Sequence, residues 1–86
     1  GAVVGTTVEE QTRRALRNLI AILRSQDLGV ESLVKTTIYL HDIAHFPEFN
    51  AVYAAMLGNA RPARSVVAAA GLPKNVLVEI EAVACR

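Results

Sequence analysis

The chain has 86 residues, which is room for one domain and not for a second. Nine Lys and Arg against eight Asp and Glu leave a net charge of +1, so no strong charge field recommends nucleic acid or an anionic membrane as a partner. At 52% hydrophobic and 20% charged residues the chain is too apolar for disorder, and apolar runs such as 19–23 fall far short of the ~18 residues a membrane span needs.

The opening Gly1-Ala2-Val3-Val4-Gly5 lacks the basic stretch that begins a signal peptide. Thr7-Val8-Glu9-Glu10 reads as a capping box that starts a helix. Val8, Thr12, Ala15, Leu16, Leu19, Ile20 and Leu23 then recur at helical spacing, with Arg13, Arg14, Arg17 and Arg24 mainly on the other side. Gly29 is expected to end this helix in the left-handed conformation. Residues 33–40, rich in β-branched and aromatic types, predict a strand with Val34, Thr36, Ile38 and Leu40 on one face. A second helix is predicted from about residue 46 to 57, with Pro47 tolerated in its first turn. Its buried stripe is Phe46, Phe49, Val52, Tyr53, Met56 and Leu57, and Gly58-Asn59 terminates it.

A strand of small residues is predicted over 63–70, followed by the turn cluster Gly71-Leu72-Pro73-Lys74-Asn75. The last predicted strand, 76–85, alternates: Val76, Val78, Ile80, Ala82 and Ala84 face one way, Leu77, Glu79, Glu81, Val83 and Cys85 the other. The order is α-β-α-β-β, an α+β arrangement in one domain spanning 1–86. The last two strands are expected to pair as an antiparallel hairpin, bringing Arg64 near Glu79 and Glu81 on one sheet face. Two acids and an arginine do not belong in a closed monomer core. Such a face is either solvated, or lines a cleft or a subunit interface. A mean hydropathy of +0.33 in so small a domain also predicts apolar surface covered by another chain.

Several side chains could carry chemistry. Arg64 follows Arg61-Pro62-Ala63 and offers a planar fork that fits a carboxylate in bidentate fashion; the alternative is a structural ion pair with Glu79 or Glu81. Glu79 and Glu81 could act as an acid/base pair, or be solvent-facing strand residues. His41 and His45 straddle a strand end and a helix start, so helical spacing does not align them, and only Asp42 suggests a third ligand; this argues against a metal, and His45 is expected to cap the second helix or lie at the surface. Arg13, Arg14 and Arg17 are explained by pairing with Glu9 and Glu10 one turn away. The single cysteine, Cys85, excludes an internal disulfide or a cysteine-rich zinc site and has no evident base beside it. The cysteine usage is that of a reducing compartment, and a cytoplasmic protein is expected.

Arg61-Pro62-Ala63-Arg64-Ser65-Val66-Val67, followed by Gly71-Leu72-Pro73-Lys74-Asn75-Val76-Leu77-Val78-Glu79-Ile80-Glu81-Ala82-Val83-Ala84, resembles the C-terminal signature of the RidA/YjgF family of reactive-intermediate (enamine/imine) deaminases. Val34-Lys35-Thr36-Thr37-Ile38-Tyr39-Leu40 with Asp42 resembles that family's central strand, and Asn50-Ala51-Val52-Tyr53 its second helix. The resemblance implies a chorismate-mutase-like α+β fold assembled as a homotrimer with ligand clefts between subunits. It implies that Arg64 grips the substrate carboxylate, that Glu79 holds or activates the attacking water, and that the backbone amide of Val66 helps bind the ligand. It implies a hydrolase of the 2-iminobutanoate/2-iminopropanoate deaminase type, turning small 2-imino or enamine acids into 2-keto acids and ammonia with no metal or cofactor. Relatives also leave room for a non-catalytic module that binds small carboxylates, or for an endoribonuclease or translation inhibitor, against which the charge of +1 speaks. Val66 stands where many members carry cysteine. Family members open with a two-stranded hairpin before the first helix, and nothing in this sequence corresponds to it, so a partial fold with an exposed edge is expected.

Overall fold

In the computed structural model, which describes residues 7–60, 62–69, 72 and 76–85, helix α1 (Val8–Ser25) starts where the capping pattern predicts. Thr7 holds an extended backbone, and its Oγ1 accepts the Glu10 N–H at 3.1 Å, satisfying one of the amide donors a helix start leaves open. Val8, Thr12, Leu16 and Leu23 form its buried stripe.

The helix ends earlier than Gly29 suggests. Gln26 is the C-cap, and Asp27, not Gly29, takes the left-handed conformation at φ 58°, after which Leu28 N–H closes on the Leu23 carbonyl at 2.8 Å. Aspartate tolerates that region better than most residues because its side chain is short and polar. Gly29 is instead extended, at φ −131°, and leads into the short 3-10 turn Val30–Ser32.

Strand β1 (Leu33–Leu40), helix α2 (Phe46–Leu57), strand β2 (Ala63–Ala68) and strand β3 (Val78–Ala84) follow, with a 3-10 turn at Ile43–His45 before α2. Pro47 sits in the first turn of α2, where its missing N–H costs no hydrogen bond. Gly58 caps the other end at φ 58°, a left-handed value that a side chain would oppose. The two last strands are shorter than predicted, β2 ending at Ala68 and β3 beginning at Val78. Of the predicted turn, Gly71, Pro73, Lys74 and Asn75 lie outside the described residues, as do Arg61, Ala70 and the opening 1–6.

The sheet has the order β2-β1-β3, which corrects the expected hairpin: β2 runs parallel to β1, β3 runs antiparallel to it, and β1 lies between them. The reason is topological. β1-α2-β2 is a strand-helix-strand unit, and a helical crossover returns the chain in the same direction. The connection across 69–77 then exceeds the roughly two to five residues of a hairpin loop, so the chain can reach the far side of β1.

Across the sheet, Thr36 faces Arg64 and Ala82, Ile38 faces Val66 and Ile80, and Leu40 faces Ala68 and Val78. This is the side on which α1 and α2 pack, and Leu16, Ile38, Leu40 and Phe49 there are completely buried. A register shift between Leu33 and Lys35 removes Val34 from the predicted inward set: Leu33 is buried and Val34 is exposed. Gln11 Oε1 accepts the Leu77 N–H at 2.7 Å and ties the entry to β3 onto α1. Among the described residues no helix is long and apolar enough to cross a membrane.

Candidate functional site

Arg64 is the second residue of β2, and its ladder partner is Thr36 in the middle strand. Thr36 points into the core, so Arg64 leaves the sheet on the helix side and meets α2 at the margin of the core. There Phe46, Asn50 and Tyr53, at helical i, i+4 and i+7, present one face to it. Its Nη1 donates to Asn50 Oδ1 at 2.6 Å. Its guanidinium carbon lies 5.4 Å from the Phe46 ring centre and 5.0 Å from that of Tyr53, within cation–π range of both.

The Tyr53 hydroxyl and Thr36 Oγ1 share a buried hydrogen bond of 2.7 Å, and the Tyr53 ring packs on Phe49 with centroids 5.2 Å apart. Among the described residues the polar partner of Arg64 is a neutral amide, not a carboxylate. One of five N–H donors is therefore committed, and the side chain remains exposed beside an open hollow of about 300 Å³. Asn50, Tyr53, Leu57, Ala60, Pro62 and Arg64 line it.

The acids are elsewhere. Glu79 faces Tyr39 and Glu81 faces Thr37, one residue out of phase with the inward set of β1. Both glutamates therefore lie on the sheet face away from the helices, Glu79 half-buried and Glu81 exposed. This corrects the expectation that Arg64 shares a face with them: the helix side carries the arginine and the other side carries the acids. It also removes the ion pair of Arg64 with Glu79 or Glu81 within a protomer. Val66 lies on the arginine's side of β2, half-buried opposite Ile38.

His45 occupies the N-cap position of α2 but makes no side-chain capping bond, so the expected cap is not formed. Its Nδ1 is buried without a hydrogen-bond partner among the described residues. His41 is exposed at the end of β1, and the described residues hold no group of three or more His, Cys, Asp or Glu placed to share a metal.

Asn50 is the site residue that the chemical reading of the sequence passed over. The signal was present, since a polar residue stands between two aromatics on one helical face, but Phe46 and Tyr53 read simply as core.

The family described as Endoribonuclease L-PSP matches the chain over residues 1–86. The chloroplastic Reactive Intermediate Deaminase A of Arabidopsis thaliana is 42% identical over 84 residues, covering 98% of this chain and 45% of that protein. The structure of the YjgF gene product of E. coli superposes with a TM-score of 0.93 at 41% identity, covering 98% of this chain and 68% of that one. E. coli TdcF with bound serine gives a TM-score of 0.92 at 36% identity, with 98% and 68% covered. Names within this group divide between deaminase, endoribonuclease and regulator. With the whole chain matched and the fold superposed on its members, this protein belongs to the Endoribonuclease L-PSP family, also called YjgF/RidA.

Proposed function

We propose that the chain is part of a hydrolytic deaminase for small 2-imino or enamine acids of the 2-iminobutanoate/2-iminopropanoate type. The observation that carries this reading is the Arg64 guanidinium. It is held by two aromatic rings and an amide oxygen, lacks a carboxylate partner among the described residues, and stands beside an open hollow. A planar fork kept in this way fits a substrate carboxylate. Serine, the ligand of the TdcF structure, is a small amino acid that carries such a group.

The chemistry needs little more than positioning. The imine carbon is already electrophilic. Water held by Glu79 adds to it, Glu79 takes a proton from the water, and that proton passes to nitrogen. The resulting carbinolamine then gives its hydroxyl proton to nitrogen, again by way of Glu79, as the carbonyl forms and the carbon–nitrogen bond breaks, leaving a 2-keto acid and ammonia. The Val66 backbone amide is assigned to the ligand as a further donor.

In one protomer Arg64 and Glu79 lie on opposite faces of the sheet and on the two strands that flank β1, so they cannot close on one small ligand. A site that uses both must be built from two copies. This supports a homotrimer whose clefts take the arginine from one protomer and the acid from the next. The apolar residues Val67 and Val83, exposed on the acids' side of the sheet, favour the same assembly.

Replacing Arg64 tests the reading. Arg64→Ala and Arg64→Lys should both abolish hydrolysis of a small 2-imino acid, followed as loss of imine trapped with semicarbazide, while the fold and the assembly persist. Lysine fails because an ammonium is a point charge without the fork. Near-normal turnover by Arg64→Lys would refute the carboxylate grip. A second reading, a module that binds small carboxylates without turning them over, is favoured by a relative crystallised with serine. It predicts the same loss of binding in Arg64→Ala but no turnover for Glu79 to support.

A further inference from the structure

We infer that Tyr53, pinned by Thr36, is a positioning residue that sets the aim of the Arg64 guanidinium. The inference rests on the carboxylate-gripping role of Arg64 proposed above.

Packing alone does not ask for a tyrosine here. Phe49, one turn earlier on α2, is completely buried as a plain ring, and a second phenylalanine would fill the core as well. Thr36 is equally out of character. The other inward residues of β1, Ile38 and Leu40, are aliphatic and completely buried, and Thr36 brings a hydroxyl to the same depth. Each hydroxyl would be costly to bury alone, and each is satisfied by the other at 2.7 Å.

This pair lies under the arginine. Thr36 is the ladder partner of Arg64 and the hydrogen-bond partner of Tyr53, while the Tyr53 ring is 5.0 Å from the Arg64 guanidinium carbon. Three residues on β1, α2 and β2 thus form one closed set of contacts. The phenol is restrained at its tip by Thr36 and along its ring by Phe49. A restrained ring gives the guanidinium a fixed floor, and Asn50 Oδ1 at 2.6 Å fixes its rotation on that floor. An arginine at an open surface otherwise samples many rotamers and must surrender them on binding; an arginine already ordered surrenders fewer.

The test separates this role from core stability by using Tyr53→Phe, Thr36→Val and the double variant in the native protein. Each single change leaves one buried hydroxyl unpaired and should lower Tm. The double change removes both hydroxyls at conserved shape and should restore most of that loss. If the pair positions Arg64, the double variant should still bind 2-oxobutanoate, a small 2-keto acid used as probe, about two- to tenfold more weakly than the parent protein. KM for the imino acid should rise by a similar factor with kcat nearly unchanged. With the guanidinium carbon 5.0 Å from the Tyr53 ring centre, the Arg64 Nε–H proton resonance of the parent should be displaced by the ring current, and in the double variant, where the side chain is less ordered over the ring, it should move towards the value of a free arginine. A double variant with parental affinity, KM and Arg64 resonance would reduce the pair to core packing and overturn the inference. Arg64→Ala is the control for the reading beneath it. If that variant binds 2-oxobutanoate as tightly as the parent, the carboxylate role fails, and the Arg64 resonance alone decides whether Tyr53 orders the side chain.

Discussion

On the helix side of the sheet Thr36, Ile38 and Leu40 are completely buried, whereas on the other side Val67 and Val83 are 44% and 58% exposed with Glu81 and Ser65 between them. The first face is completed within a protomer by α1 and α2, and Arg64 is seated at its margin. The second carries Glu79 together with apolar residues that the described part of the protomer leaves in water. The contrast teaches that the two candidate groups have different dependencies. The arginine's setting is a property of the folded chain, while the acid's setting depends on what lies across the open face.

The largest effect that would sharpen this contrast is expected at Glu79. Glu79→Gln keeps shape but loses the proton acceptor and should lower kcat by about 10²–10⁴-fold, as measured by semicarbazide-trapped imine hydrolysis. Glu81→Gln, two residues on and more exposed, should change kcat by less than about tenfold. If Glu81→Gln were the more damaging change, the roles of the two acids would be reversed.

A second comparison sets stability against assembly. Phe49→Ala, on the helix side, should cost about 3–5 kcal/mol in denaturant unfolding, the usual loss for emptying a fully buried phenylalanine site. Val83→Asp, on the open side, should leave the protomer's circular dichroism unchanged and shift sedimentation from trimer to monomer, since a carboxylate would have to be buried at the contact. A Val83→Asp protein that still sediments as a trimer would place the subunit interface elsewhere. The smallest effect belongs to the start of α1. Thr7→Ala removes the 3.1 Å cap to Glu10 and should cost about 1 kcal/mol with no change in turnover, because the capping bond involves neither Arg64 nor Glu79.

Much of the fold was legible because single residues mark its boundaries. Pro47 and Gly58 bracket α2, whose observed range, Phe46–Leu57, matches the periodicity, and Thr7 marks the start of α1. The end of α1 was misplaced because glycine is the usual left-handed residue and Asp27 took that role. Strand neighbours were harder to read. Alternation determines which side chains share a face of one strand, but it does not say which strand lies alongside or in what phase. Glu79 and Glu81 were correctly paired with each other, yet their phase relative to Arg64 depended on β1 lying between them, and the β1-α2-β2 order was the clue to that arrangement. The bulge that expels Val34 has no glycine or proline to announce it. Arg64 stands out as a candidate by its type and surroundings, with an ion pair as the alternative and its carboxylate role implied only by the family resemblance, whereas its cradle was not legible, because Phe46, Asn50 and Tyr53 come together only once β2 is laid parallel to β1.

In the proposed assembly one reaction site draws Arg64 and Glu79 from different copies of the chain. Mixing two inactive proteins, Arg64→Ala and Glu79→Gln, tests it most directly. After subunit exchange in an equal mixture, with mixed trimers verified by native mass spectrometry, some clefts would pair an intact Arg64 from one protomer with an intact Glu79 from its neighbour. Imine hydrolysis should then return to about one quarter of the unaltered protein, because each of the two neighbours has an even chance of supplying the intact group. Mixed trimers that remain as inactive as either parent would contradict a shared site.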